Sequence, residues 1–248
     1  MYRDLVAELA QNYSVITFDR RGNSRSRLKP HADIDLDDQA TDVVAILDHA
    51  DLEDAFVFGS SAGALTTLSL LTSYADRVAA AVVHEPPAIR VLPDVDQRVA
   101  YFDDLMGIAA REGSLPAMLK FAAGTMDKPT KLFDSKLGRT VGTAGVKVAM
   151  RLSPKNEMNR LFRNADLLMR AEMPSFVQYQ PDLEALRNTS VRWAFGVGVE
   201  SEGRYYSRPA RQLSAEVGVP CLEFPGGHLG YQRHAKLFVE RLQEFIDG

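Results

Sequence analysis

The sequence predicts an α/β fold: a mostly parallel sheet with helices on both faces and a helical insertion. Three observations predict it. Short apolar runs alternate with amphipathic segments over residues 14–87. About a hundred residues of purely helical periodicity then interrupt the pattern. From residue 191 the alternation returns and continues to the C-terminus.

Residues 1–10 set Leu5 and Leu9 at helical spacing. SVITF, residues 14–18, reads as a buried strand stopped by the polar DRRGNSRS. DLDD, Asp35 to Asp38, lacks the further ligands of a calcium loop and reads as a helix start. TDVVAILDHA, residues 41–50, is the amphipathic helix. AFVF, residues 55–58, is a second buried strand, and ALTTLSLLTSYA, residues 64–75, the next helix. VAAAVVHE, residues 78–85, is a third strand, ended by Pro86 and Pro87, because proline cannot donate to a ladder. Strands this continuously apolar imply a parallel sheet covered on both faces.

From residue 88 to 188 the periodicity is helical, as in QRVAYFDDLMGIAA, LPAMLKFAA and NRLFRNADLLMRA. VRWAFGVG (191–198), PARQLSAEV (209–217), CLEF (221–224) and AKLFVERLQEFI (235–246) then restore strand, helix, strand and helix. The expected organisation is an α/β core over 1–87 and 188–248 with a helical cap over 88–187. An insertion of that length without strands has the character of a lid over the active edge of the sheet. Its apolar residues, such as Phe102, Leu105, Met106, Met118 and Phe121, either line the substrate pocket or pack the lid onto itself.

Composition excludes several classes. The 248 residues carry a net charge of −4 and no Lys/Arg-rich run, so nucleic acid is not the expected partner. Cys221 is the only cysteine, which excludes an internal disulfide and favours the reducing cytoplasm. MYRDLVAELAQNYS has no apolar h-region, and no stretch approaches the length of a membrane helix. GVGVES lacks the third glycine and the opening helix of a dinucleotide fingerprint, and no phosphate-cradling GxxxxGK[ST] loop occurs. No metal-ligand cluster surrounds Cys221. The expectation is a small-molecule substrate, with no cofactor, metal or membrane.

The chemistry points to GSSAG, residues 59–63. A serine hydroxyl becomes a nucleophile when a base takes its proton. A G-x-S-x-G turn between a buried strand and a helix projects that hydroxyl above the sheet. Gly59 and Gly63 leave room for the tight turn and for close strand–helix packing. The alternative is an ordinary small-residue turn; the strand before and the helix after favour Ser61 as nucleophile.

A base should follow. His228 lies in FPGGHLGY, on a glycine-rich loop after the last strand. His31 and His49 precede the serine, His84 falls within a strand as a buried structural histidine would, and His234 opens the last helix. Chain order therefore favours His228. The acid that orients it has two candidate places. One is the loop after VRWAFGVG, with Glu200 and Glu202. The other is Glu85, at the C-terminal end of the strand next to the elbow, where ligands of parallel sheets bind. Pro86 pushes Glu85 out of the helical region and fixes it as a strand end. The shared edge favours Glu85.

FDRRGNSRS (18–26), GSSAG, VVHEPP (82–87), PDLEALR (181–187) and FPGGHLGY (224–231) together resemble the α/β-hydrolase superfamily, in particular small bacterial hydrolases with a D-R-R-G-x-S turn and an H-E-P-P strand end. The resemblance spans nearly the whole chain. It implies Ser61 as nucleophile, His228 as base and the Ala62 backbone N–H as an oxyanion donor. Haloalkane-dehalogenase-like relatives place their acid at the end of this same strand. Their nucleophile is an aspartate, so Ser61 implies acyl transfer to water instead. Arg20, Arg21 and Arg25 are expected to bond carbonyls and carboxylates around their turn rather than an anionic substrate.

The family begins with two or three strands and an HGG-like loop that supplies a second oxyanion donor. Here those strands are expected to be missing, since Met1 already lies in the helix that should follow that loop. Either Met1 is a misassigned start or the chain is a truncated relative. Two functions follow: a serine hydrolase acting on an ester or related carbonyl compound, or a weak or inactive α/β-hydrolase-fold protein that serves as a ligand-binding or interaction module.

Overall fold

Four parallel strands carry the architecture: β1 (Ala55–Ser60), β2 (Val78–His84), β3 (Arg192–Gly198) and β4 (Cys221–Phe224), in the spatial order β1-β2-β3-β4. The computed structural model describes residues 2–28, 34–125, 130–153 and 157–248. Met1 and His31 therefore lie outside the described residues. All three ladders are parallel, with Ser60 opposite His84 and His84 opposite Gly196. Their C-terminal ends consequently share one edge.

The chain forms two compact units. The first comprises Met1–Phe18, Asp35–Val95 and Gln178–Gly248, and holds the sheet. On one face lie α1 (Arg3–Leu9), α12 (Gly230–Arg233) and α13 (Ala235–Asp247), packed on one another. Leu5, Val82, Phe224, Tyr231, Phe238, Val239 and Leu242 form their shared core. On the other face α3 (Ala62–Ser73) lies against β1 and β2 and α11 (Arg208–Val217) against β3 and β4, with α2 (Leu36–His49) packed on α3 and α10 (Leu183–Asn188) on α3 and α11. β2 and β3 are almost wholly buried, which explains why they read as unbroken apolar runs. The DLDD segment does start a helix: Asp35 caps α2, its carboxylate accepting from the Asp37 N–H at 2.8 Å.

The second unit comprises Asp19–Ile34 and Asp96–Val177. Its helices are α4 (Val95–Glu112), α5 (Ser114–Thr125), α6 (Lys136–Leu152), α7 (Glu157–Arg163), α8 (Ala165–Leu167), a π turn at Leu168–Glu172, and most of α9 (Met173–Gln178). No strand occurs among its described residues. Phe102, Leu105 and Met118 are buried, whereas Met106 and Phe121 are half-buried. Arg139 joins two of its helices: Nε and Nη2 donate to the Glu112 carboxylate at 2.9 and 2.7 Å, and Nη1 donates to the Phe133 and Asp134 carbonyls. Two arginines of the DRRGNSRS turn bond carboxylates, Arg20 to Glu172 at 2.8 Å and Arg25 to Asp19 at 2.6 Å.

One expected element does not form. Residues 14–18 make no ladder with any described strand, and Ile16 and Phe18 are 47% and 41% exposed. Apolar, β-prone sequence supplies only half of a strand; the other half is a neighbour that takes its N–H and C=O groups. Among the described strands β1 pairs with β2 alone, and residues 14–18 join no ladder.

Candidate active site

The turn between β1 and α3 places Ser61 at φ 56° and ψ −124°, a conformation that costs a non-glycine residue about 1–3 kcal/mol. The cost is met by the flanking structure. The Ser61 N–H donates to the His84 carbonyl at 3.0 Å, continuing the β1–β2 ladder, while the Ser61 carbonyl accepts from Ala64 in the first turn of α3. Ala62 is the first residue of α3, so its N–H has no partner within the helix. The two glycines of GSSAG differ. A Cβ on Gly59 would collide with Thr67 Oγ1 and the Gly63 carbonyl, whereas one on Gly63 would meet no described heavy atom within 4 Å. Close strand–helix packing thus depends on Gly59 alone.

Glu85 follows β2 directly and is fully buried. Its backbone takes φ 48°, the left-handed region, rather than the extended conformation that the following proline favours. The Glu85 N–H donates to the Gly196 carbonyl at 2.9 Å, and its side chain then spans the next strand end. Glu85 Oε1 accepts from the Gly198 N–H at 2.9 Å, and Oε2 bonds His228 Nδ1 at 2.6 Å. Burial alone would raise this carboxyl. The hydrogen bond from His228, the nearby His84 and His228 charges and the Gly198 N–H outweigh burial and hold it below the usual glutamate value.

His228 stands on the loop between β4 and α12 and is 8% exposed. With Nδ1 tied to Glu85, Nε2 is the ring nitrogen left for proton transfer. The Tyr206 ring lies 4.3 Å from the His228 ring, tilted by 43°, and is itself buried. Sequence reasoning did not single out Tyr206. It sits in the irregular stretch after β3, where no periodicity marks a residue as facing inward.

Glu200 and Glu202 are exposed, on and just after a 3-10 turn over Val199–Ser201. His49 ends α2, and His234 is exposed at the start of α13. His84 is fully buried, and burial lowers its pKa to about 4. Among the described residues no hydrogen bond joins Ser61 Oγ to His228, and no group of three His, Cys, Asp or Glu side chains is arranged to hold a metal ion. No helix among them is long and apolar enough to cross a membrane.

A strained serine between strand and helix shares one edge of a parallel sheet with a buried Glu–His pair. The chain belongs to the α/β-hydrolase family, whose profile, described as alpha/beta hydrolase fold, matches residues 1–126. It is 28% identical over 250 residues to the zearalenone hydrolase of Bionectria ochroleuca, covering 98% of this chain and 84% of that one. To an uncharacterized hydrolase of Bacillus subtilis strain 168, YraK, it is 25% identical over 253 residues, covering 99% and 83%. Among solved structures, MGS-M2, an alpha/beta hydrolase from a Medee basin deep-sea metagenome library, shares the fold with a TM-score of 0.73 at 15% identity, over 100% of this chain and 84% of that one.

Proposed function

We propose that this protein is a serine hydrolase that cleaves a small or medium ester, thioester or related carbonyl compound. Ser61 Oγ attacks the carbonyl carbon as His228 Nε2 takes its proton. The Ala62 N–H, at the positive end of α3, donates to the developing oxyanion. Glu85 holds the imidazole in the tautomer that leaves Nε2 free and stabilises the imidazolium that forms. The imidazolium returns the proton to the leaving group, and the C–O or C–S bond breaks. Water, deprotonated by the same nitrogen, then attacks the acyl-enzyme carbonyl; the bond from that carbon to Ser61 Oγ breaks, the imidazolium returns its proton to Oγ, and the carboxylic acid leaves.

One observation carries this reading: the fully buried Glu85 bonds His228 Nδ1 with one oxygen and a strand-end N–H with the other. That pair shares one edge of the parallel sheet with the strained Ser61 turn. The names of the curated relatives support hydrolysis.

Fluorophosphonate labelling followed by intact mass tests the proposal. A single adduct, lost in Ser61→Ala, is expected. An unlabelled, folded protein would instead favour a ligand-binding module, a reading to which the unmade Ser61–His228 hydrogen bond lends support.

A further inference from the structure

The residues just before the proposed nucleophile and acid are themselves joined. Ser60 and His84 are register partners at the ends of β1 and β2, and Ser60 Oγ bonds His84 Nδ1 at 3.1 Å. Both are buried, at 5% and 0% exposure. Tyr231, also buried, hydrogen-bonds Ser60 through its side chain and links it to Tyr2. His84 Nε2 has no hydrogen-bond partner among the described residues. The ring stands edge-on to Phe224 and Phe238, at 5.7 and 5.5 Å, and lies 6.5 Å from the His228 ring.

A histidine with one nitrogen bonded and one orphaned inside an aromatic cluster is a poor choice for packing alone, because a leucine or phenylalanine would leave no polar atom unsatisfied. Its value therefore lies in the nitrogen that is used. That nitrogen ties together the two strands that carry the functional residues, one position before each. Ser61 and Glu85 both leave their strands at positive φ, so small shifts between β1 and β2 are passed directly to their side chains. Among the described residues β1 pairs with β2.

We propose that Ser60 and His84 are positioning residues, a cross-strand clasp that sets the distance from the Ser61 turn to the Glu85–His228 pair. The inference rests on the serine-hydrolase reading above. Neither side chain touches substrate; both act through the residue that follows. Burial keeps His84 neutral, so it does not set a second cation beside the imidazolium.

The test compares Ser60→Ala, His84→Leu and His84→Asn with the parent, using a p-nitrophenyl ester for kcat and KM and a fluorophosphonate for the acylation rate. Asn places one polar atom of its amide where Nδ1 stands, so the bond to Ser60 can be kept without the imidazole ring. Ser60→Ala and His84→Leu should lower kcat and acylation by about 10²-fold, the scale of a misplacement of reacting groups, with KM within about twofold. His84→Asn should restore most of that loss. Unchanged acylation in folded Ser60→Ala, or equal loss in Asn and Leu, would overturn the clasp while leaving Ser61 as nucleophile. A parent protein that is not labelled would overturn both.

Discussion

Glu85 and His228, separated by 143 positions in the chain, meet with Oε2 and Nδ1 2.6 Å apart. The contact exists because two strand ends are brought to one edge: β2 leads into the glutamate, and the loop after β4 carries the histidine. β3 lies between them and lends its Gly198 N–H to the other carboxylate oxygen. Replacing Glu85 by Gln keeps the shape and removes the charge that stabilises the imidazolium. Turnover of an activated ester should fall by about 10⁴-fold, as expected when the orienting acid becomes an amide. Undiminished turnover would move the acid's role to Glu200 or Glu202.

The Tyr206 ring against His228 gives a smaller effect of the same kind. A tyrosine face near an imidazolium is worth about 0.5–2 kcal/mol, up to roughly 30-fold in rate. Tyr206→Leu should therefore lower kcat by about tenfold while Tyr206→Phe, which keeps the ring, stays close to the parent. Equal loss in both would assign the effect to the hydroxyl.

The glycines of the elbow separate by thermal melting. Gly59→Ala forces backbone and side-chain shifts between β1 and α3, at a cost of about 1–3 kcal/mol or more. Gly63→Ala enters open space on a helix and should melt at or slightly above the parent temperature. A Gly59→Ala protein as stable as the parent would mean that the turn yields more easily than its contacts imply.

Acid stability should report His84. Its pKa falls from the ordinary 6.5 to about 4 in the fold, so the unfolded chain binds more protons between those values. Stability is lost as pH drops from about 6.5 towards 4, at roughly 1.4 kcal/mol per unit at most. Glu85 works in a lower window. Its folded pKa lies below 4.5, so its contribution is present above 4.5 and lost as pH falls through the folded value. His84→Asn should flatten denaturant-derived stability between pH 6.5 and 4 and leave the lower loss in place. An unchanged slope would mean that another group dominates.

Much of this arrangement is legible in the text of the chain because it is local. GSSAG between an apolar run and a helix gives the elbow, and HEPP gives a strand end, since prolines terminate a ladder. A parallel sheet then places Ser61 and Glu85 on one edge without any knowledge of distance. Nonlocal features stay hidden. SVITF has the composition of a strand, yet residues 14–18 find no partner, and pairing is a property of two segments. The tilted Tyr206–His228 ring contact and the Gly198 N–H on Glu85 join residues far apart in the chain whose meeting no periodicity encodes. The left-handed Glu85 backbone is invisible as well, because the restriction imposed by Pro86 points to extended conformations.

Among the described residues β1 is the outermost strand of the sheet, and Ala55–Ser60 contains no charged residue. Strands held on one side are the first to open in native-state fluctuations, with free energies well below that of global unfolding. The Ser61 amide bonds the His84 carbonyl at the end of that ladder, so fraying of β1 releases the serine turn from the strand that carries Glu85. Amide hydrogen exchange across β1 should therefore run faster than across β2 and β3. Warmth or mild denaturant then disarms the site while the rest of the fold still stands.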